Sequence, residues 1–351
     1  MIDLDKEFVW ESTYNLTQSA MKERYDDLYR ITYHLCQTAL RNGMNIMMPD
    51  DHEIYDTCGT AGFYDFNDQA RTDAMIASYK SFLEHQMALR SDPNENIYLH
   101  RKWGDIEYIG VDTRFDRFPA VWKTKIFETN KEYEVDPTWI SKEQIDMIND
   151  VINNVEKSQT KYLIVSTPTI FCPSSEWATK TVAKSSSEYL ESYNHPRSKD
   201  DFYKFLTKLF ETSKSTNVLA INGDVHKAMI SGWVDKNSNF CELTSSAITR
   251  CARNTIMIDS KGFWGSYALD TIFQGKGIND YKVDHKTITY GNNAMIAELL
   301  ENQVKTTTYC CGPKGYFESF LMQLGLKSFP EDVTEVNSEY DYITGDIMFT
   351  D

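Results

Sequence analysis

Apolar positions recur along this chain with two different periods. Between 17 and 42, Met21, Tyr25, Leu28, Leu35, Cys36, Ala39 and Leu40 fall on one helical stripe, and Asn42-Gly43 supplies a stop. A second helix is predicted over about 66–90 from Ile76, Tyr79, Phe82, Leu83 and Met87. A third opens at Ser141, where Gln144 completes a capping box and Ile145, Ile148, Val151, Ile152 and Val155 turn inward. Phe202, Phe205, Leu206, Leu209 and Phe210 mark a fourth, and a last helix is predicted over 315–326.

Short apolar runs between these helices read as buried strands at 44–48, 97–101, 105–112, 162–165 and 217–221. Beyond them the pattern turns strand-rich, with runs at 228–234, 239–243, 254–258, 287–290 and 293–299. Helices and strands that interleave in this way indicate one α/β domain, spanning 1–330. The polar stretch 172–200, with Ser185-Ser186-Ser187, reads as a long surface insertion. From 331 to 351 there are seven acids and no base, which predicts a loosely docked arm or a disordered end.

Composition narrows the class. With 351 residues and 41% hydrophobic content the chain can bury a real core, and no apolar run approaches a membrane span. The first residues, Met1 to Glu7, lack the features of a signal peptide. Seven dispersed cysteines without metal-finger spacing favour reduced thiols, so a cytoplasmic protein is expected. A net charge of −16 opposes non-specific binding to nucleic acid or anionic membrane. It does not oppose a phosphate-bearing substrate, because a bound cation can dominate the local field.

Two groups of ionisable residues sit where apolar runs end. The first is Asp50-Asp51-His52-Glu53, after 44–48; the second is Gly223-Asp224-Val225-His226, after 217–221. In open α/β sheets ligand-binding residues gather beyond the carboxyl ends of strands. In extended backbone Asp224 and His226 point the same way and can share a cation, with Gly223 turning the chain. A capping Asp beside a core-rim His fits the same tetrapeptide. Asp50-Asp51-His52-Glu53 fits a metal ligand next to a general acid, or a solvated loop with Asp50 as an N-cap. Arg114, in Asp112-Thr113-Arg114, has the fork geometry to clamp a phosphoryl oxygen, or to pair with Asp116 or Asp112 within its loop.

Taken in order, these segments resemble the alkaline phosphatase D (PhoD-like) branch of the metallophosphatase superfamily. The pieces are Met47-Met48-Pro49-Asp50-Asp51-His52-Glu53-Ile54, Ile109-Gly110-Val111-Asp112-Thr113-Arg114, the helix containing Ser141 to Ile152, and Ala220-Ile221-Asn222-Gly223-Asp224-Val225-His226. Glu242-Leu243-Thr244-Ser245-Ser246 follows in its expected place. The resemblance implies an α/β/β/α sandwich of two mixed sheets flanked by helices. It implies Asp51, Asp224 and His226 as metal ligands and His52 as the general acid, with Arg114 steadying the phosphate. The implied cofactor is a dinuclear centre of divalent or trivalent ions (iron, manganese, zinc or calcium), and the implied substrate a small phosphomonoester or a phosphodiester.

The family also has an earlier strand with a ligating Asp and then a Gly-Asp-x-x-Tyr segment. Neither precedes the helix at 17–42; Gly104-Asp105 and Gly345-Asp346 lie elsewhere. The expectation is therefore a domain lacking its amino-terminal strands, with a missing amino-terminal fragment as a partner and an exposed sheet edge. Two functional classes follow: a phosphohydrolase in which a metal-activated hydroxide attacks phosphorus, or a catalytically inactive relic of the fold that binds a ligand or a protein. A third reading makes both clusters surface loops of an unrelated α/β protein.

Overall fold

Thr17 opens the first element: its hydroxyl accepts from the Ala20 amide and so satisfies one orphan donor. In the computed structural model, which describes residues 16–54, 69–90, 92, 95–116, 139–171, 199–224, 228–234, 238–246, 282–289, 291–312 and 332–350, helix α1 then runs Gln18–Arg41. It stops at Asn42, whose amide reaches the Ala39 carbonyl. Helix α2, Gln69–His85, lies against its first half, with Met21 and Tyr25 packed on Ala74 and Ala77. Ser81 donates to Asp26 across the pair at 2.6 Å. The periodicity had extended α2 to about residue 90; a 3-10 turn, Met87–Leu89, follows it instead.

The strand expected at 44–48 does not form a ladder among the described residues. Side chains take its backbone partners' place. The Asn45 amide donates to the Leu40 and Gly43 carbonyls at 2.7 and 3.1 Å, and the Met47 carbonyl accepts from Arg90 at 2.7 Å. Arg90 also reaches the carbonyls of Asn96 and Ile97, at 2.9 and 2.7 Å. Its buried guanidinium thus staples the run into Asp50 onto the start of the sheet.

Seven strands make the large sheet: β1 (Leu99–Trp103), β2 (Ile106–Gly110), β3 (Tyr162–Ser166), β4 (Asn217–Asn222), β5 (Ala228–Val234), β6 (Asn239–Ser245) and β7 (Lys282–Thr289), in the order β1-β2-β3-β4-β6-β5-β7. The centre, β2-β3-β4-β6, is parallel, and β1, β5 and β7 run antiparallel to their neighbours. Helix α3 (Lys142–Val155) crosses from β2 to β3, and α4 (Lys199–Thr212) from β3 to β4. Parallel pairing demands such crossovers, and they leave the central strands buried on both faces. On the helix side Ile148, Val151, Ile152 and Val155 of α3 and Phe202, Phe205, Leu206 and Leu209 of α4 cover Leu163, Val165, Val218 and Ala220. Each fully buried side chain of this kind contributes roughly 1.5–3 kcal/mol.

The opposite face carries a second sheet: β8 (Asn292–Leu299), β9 (Gln303–Cys311), β10 (Thr334–Asp341) and β11 (Ile347–Thr350), antiparallel throughout in the order β11-β10-β9-β8. Val304, Tyr340, Tyr342 and Ile347 pack on Leu219, Ile230, Cys241 and Leu243. The Tyr342 hydroxyl donates to the Val218 carbonyl at 3.2 Å, and Tyr162 to that of Gln303 at 3.0 Å. Two sheets face to face with helices outside the larger one agree with the architecture expected from the sequence.

One expectation is reversed at the carboxyl end. The stretch from 331, read as a loose arm or a disordered end, supplies β10 and β11. The acids Glu335, Glu339 and Asp341 stand on the outer face of β10, while Val336, Ser338 and Tyr340 alternate inward; charge count hid a period-2 pattern. His285, read as lying in a polar loop, is in β7. The predicted strand at 254–258, the helix at 315–326 and the insertion from 172 to 198 lie outside the described residues.

Candidate metal and phosphate site

Asp50 ends the extended run and caps a 3-10 turn, Asp51–Glu53. Its carboxylate accepts from the Asp51 amide at 2.9 Å, and Glu53 accepts in turn from the Asp50 amide at 2.6 Å. The N-cap reading of Asp50 is therefore correct. That turn fixes Asp51, which is 2% exposed, and swings His52 beside it, with Nε2 3.9 Å from Asp51 Oδ2. Burial, with Asp50 nearby, pushes the Glu53 carboxyl up from its usual value.

β4 brings the second group. The Gly223 amide donates to the Pro168 carbonyl at 2.9 Å, and Asp224 follows with φ 72°. Sequence reasoning placed the turn at Gly223, yet a Cβ there would meet nothing closer than 3.7 Å. The left-handed residue is Asp224, a conformation that Asp and Asn tolerate better than other side chains.

β2 brings the third. Beyond it, the Asp112 carboxylate accepts from the Arg114 and Phe115 amides, both at 2.9 Å, and so curls the loop that presents Arg114. Gln144, fully buried on α3, holds this loop from behind. Its Oε1 accepts from the Asp112 amide, and its Nε2 donates to the Asp112 carbonyl and to Asp116. The capping box predicted at Ser141 is half formed: Ser141 Oγ accepts from the Gln144 amide, while the Ser141 amide donates to Asp116 instead. Burial, with Asp116 beside it, pushes Asp112 up to about 7.

These segments converge. Ligand oxygens of Asp50, Asp51 and Asp224 lie within 4.8 Å of one another. The Arg114 guanidinium, 1% exposed, stands among them: Nη2 is 2.7 Å from Asp50, 3.7 Å from Asp224 and 4.0 Å from Asp51. Nη2 also donates to Thr169 Oγ1 at 3.2 Å. Of the expected ligands, Asp51 and Asp224 meet, and His226 lies outside the described residues. His52 stands at the cluster's side. Arg114, read from the sequence either as a clamp for a phosphoryl oxygen or as a partner of an Asp in its own loop, reaches these three carboxylates.

Three all-oxygen donors suit a hard divalent cation, and the cluster's negative charge exceeds what one guanidinium offsets. The described residues therefore fit one metal ion; the ligands of a second are not among them. Asp50 as a third carboxylate, Thr169 and Gln144 went unassigned from the sequence. Gln144 carried a signal nonetheless, a polar residue within the apolar face of α3.

Comparison with known proteins gives the family of this chain. A family model described as PhoD-like phosphatase matches residues 13–264. No curated protein matches the chain significantly. A solved structure titled "Structure of PhoD" aligns with a TM-score of 0.53 and 14% sequence identity, over 87% of this chain and 54% of that one. At that identity the likeness concerns the fold, and the chain spans about half the length of that solved relative.

Proposed function

This chain belongs to the PhoD-like phosphatase family, and on that premise we propose that it hydrolyses phosphate esters at the site formed by Asp51, His52, Arg114 and Asp224. The observation that carries the reading is the meeting of Asp50, Asp51 and Asp224 around one buried guanidinium. Asp51 and Asp224 would hold a divalent cation, and the resemblance adds His226 to that set. When bound, the cation supplies Lewis acidity toward the phosphoryl group and lowers the pKa of water.

The chain's own residues supply the rest. His52 holds at its ring nitrogen the proton that a departing alkoxide needs, on a turn whose cap keeps the ring beside Asp51. Arg114 holds Asp50 in place and offsets part of the carboxylate charge that repels a phosphate. Monoesters and diesters both fit this chemistry.

The test is turnover of p-nitrophenyl phosphate and bis(p-nitrophenyl) phosphate with manganese, zinc, calcium or iron added singly. Metal-dependent turnover is expected, falling about 10²- to 10⁴-fold in His52→Ala. Folded, metal-loaded protein with no turnover that His52→Ala or Asp224→Asn abolishes would sink the proposal. A non-catalytic module that binds phosphorylated ligands is the second reading. It is favoured by Arg114, a cation already seated against all three carboxylates. Vanadate or phosphate binding with no turnover under any of these metals would select it.

A further inference from the structure

Glu242 lies in the middle of β6, fully buried. A carboxylate there is costly unless its oxygens are occupied. Three N–H groups from three separate segments converge on it. The Phe171 amide and Asn222 Nδ2 donate to Oε1 at 2.7 and 2.6 Å, and Trp233 Nε1 donates to Oε2 at 2.8 Å. Asn222 is fixed at its other end as well, because Thr244 Oγ1 donates to its Oδ1 at 2.6 Å.

Two of these lines lead into the site. Asn222 is the last residue of β4, two positions before Asp224. Phe171 closes the segment that contains Thr169, the acceptor for Arg114 Nη2. That segment is tied back to β4 by Thr167, whose amide donates to the Ile221 carbonyl at 3.0 Å, and by Pro168, whose carbonyl accepts from Gly223. Glu242 therefore grips, through one oxygen, both the strand end that carries Asp224 and the loop that meets Arg114.

We propose that Glu242 is a positioning residue of the phosphohydrolase site, one that sets the place of Asp224 relative to Arg114 without touching substrate or metal. This rests on the function proposed above. A carboxylate offers acceptors only, which is what three donors require. Glu242→Gln keeps the shape and aims an amide N–H at one of those donors.

The experiment compares the full chain with Glu242→Gln and with Trp233→Phe, which removes a donor to Oε2 and leaves both Oε1 donors in place. Three quantities are read: the backbone amide resonances of Thr169 and Asp224, manganese affinity by calorimetry, and the separate kcat and KM for bis(p-nitrophenyl) phosphate. Glu242→Gln is expected to shift both resonances, weaken manganese binding about tenfold and lower kcat about tenfold or more with KM nearly unchanged. Trp233→Phe is expected to stay within about threefold of wild type in both, since both Oε1 donors remain.

A folded Glu242→Gln protein with a lower melting temperature but unmoved resonances and unchanged manganese affinity overturns the proposal, leaving a strand staple. If Glu242→Gln does not fold, Asn222→Ala, which deletes the donor leading to Asp224 together with the acceptor for Thr244, takes its place: shifted resonances and weakened manganese binding support the proposal, and unmoved values overturn it. Should wild type bind no manganese and turn over nothing, the phosphohydrolase reading fails by itself. The Thr169 and Asp224 resonances then decide the role of Glu242.

Discussion

Arg114 Nη2 stands 2.7 Å from Asp50 Oδ1, joining a residue just past β2 to the residue that caps a turn, 64 positions earlier in the chain. Both partners are buried, so this is no surface pair of small consequence. Arg114→Met removes the guanidinium that Asp50, Asp51 and Asp224 share, and stripping one partner from a buried pair costs about 3–5 kcal/mol. Urea unfolding without metal checks the loss. Millimolar manganese is expected to restore part of it, since a cation that binds the folded state stabilises it. An Arg114→Met protein as stable as wild type in chelator contradicts the charge argument.

Asp112 gives the protein a pH dependence of a definite sign. Burial, with Asp116 beside it, raises its pKa from 3.8 to about 7. Folded protein keeps that proton while unfolded chain has lost it, so stability is greatest below the unfolded value and is lost as pH rises through about 7. A shift of that size corresponds at most to about 4 kcal/mol. Asp112→Asn keeps an oxygen for the Arg114 and Phe115 amides and is expected to flatten the decline. Chemical denaturation at pH 5 and pH 8 measures this; equal declines in the two proteins would refute it.

Two glycines predict a contrast in stability. A Cβ on Gly232 meets Tyr340 Cε2 at 2.8 Å and the Gly345 carbonyl at 3.3 Å, between the two sheets. One on Gly110 meets Leu99 Cδ2 at 2.8 Å and Met48 Sδ at 3.0 Å, both at the far ends of flexible side chains. Overpacking costs about 1–3 kcal/mol. Gly232→Ala should fall at the upper end and Gly110→Ala at the lower. Thermal melts order the two, and the reverse order counts against the rigidity assigned to the inter-sheet contact.

Arg90 is expected to govern the segment before Asp50. Replacing it with Met frees the carbonyls of Met47, Asn96 and Ile97 together, at about 1–3 kcal/mol for each acceptor left buried without a partner. Hydrogen exchange across residues 45–51 should quicken while β4 and β6 stay protected. Unchanged exchange at those amides would show that the segment is held by something else.

Much of this fold was readable because burial and period agree. The apolar residues of α3 and α4 repeat with helical spacing and line one face, and the runs of β3 and β4 are apolar because helices and a second sheet cover both sides. The readings failed where a side chain replaced a backbone rule. Residues 44–48 look like a strand, but Arg90 and Asn45 hold their backbone neighbourhood instead. β9 was missed because Thr306, Thr307 and Thr308 carry no apolar alternation, and β10 because its acids masked Val336 and Tyr340. At the site, Asp51 and Asp224 meet as expected. Sequence does not say that Arg114 crosses to Asp50, since that contact depends on where two loops end in space.

The seam between the sheets has a consequence for how the protein is made. Tyr162 on β3 donates to Gln303, and Tyr342, beyond β10, donates to Val218 on β4. Both bonds wait on residues near the carboxyl end, whereas β1 to β4 and their crossover helices are complete by residue 222. At about 5–20 residues per second of synthesis, the apolar side of the nascent large sheet stays bare for roughly ten to forty seconds after Tyr162 is joined. The growing chain carries that uncovered apolar face through the whole interval, which is when it is most prone to aggregate.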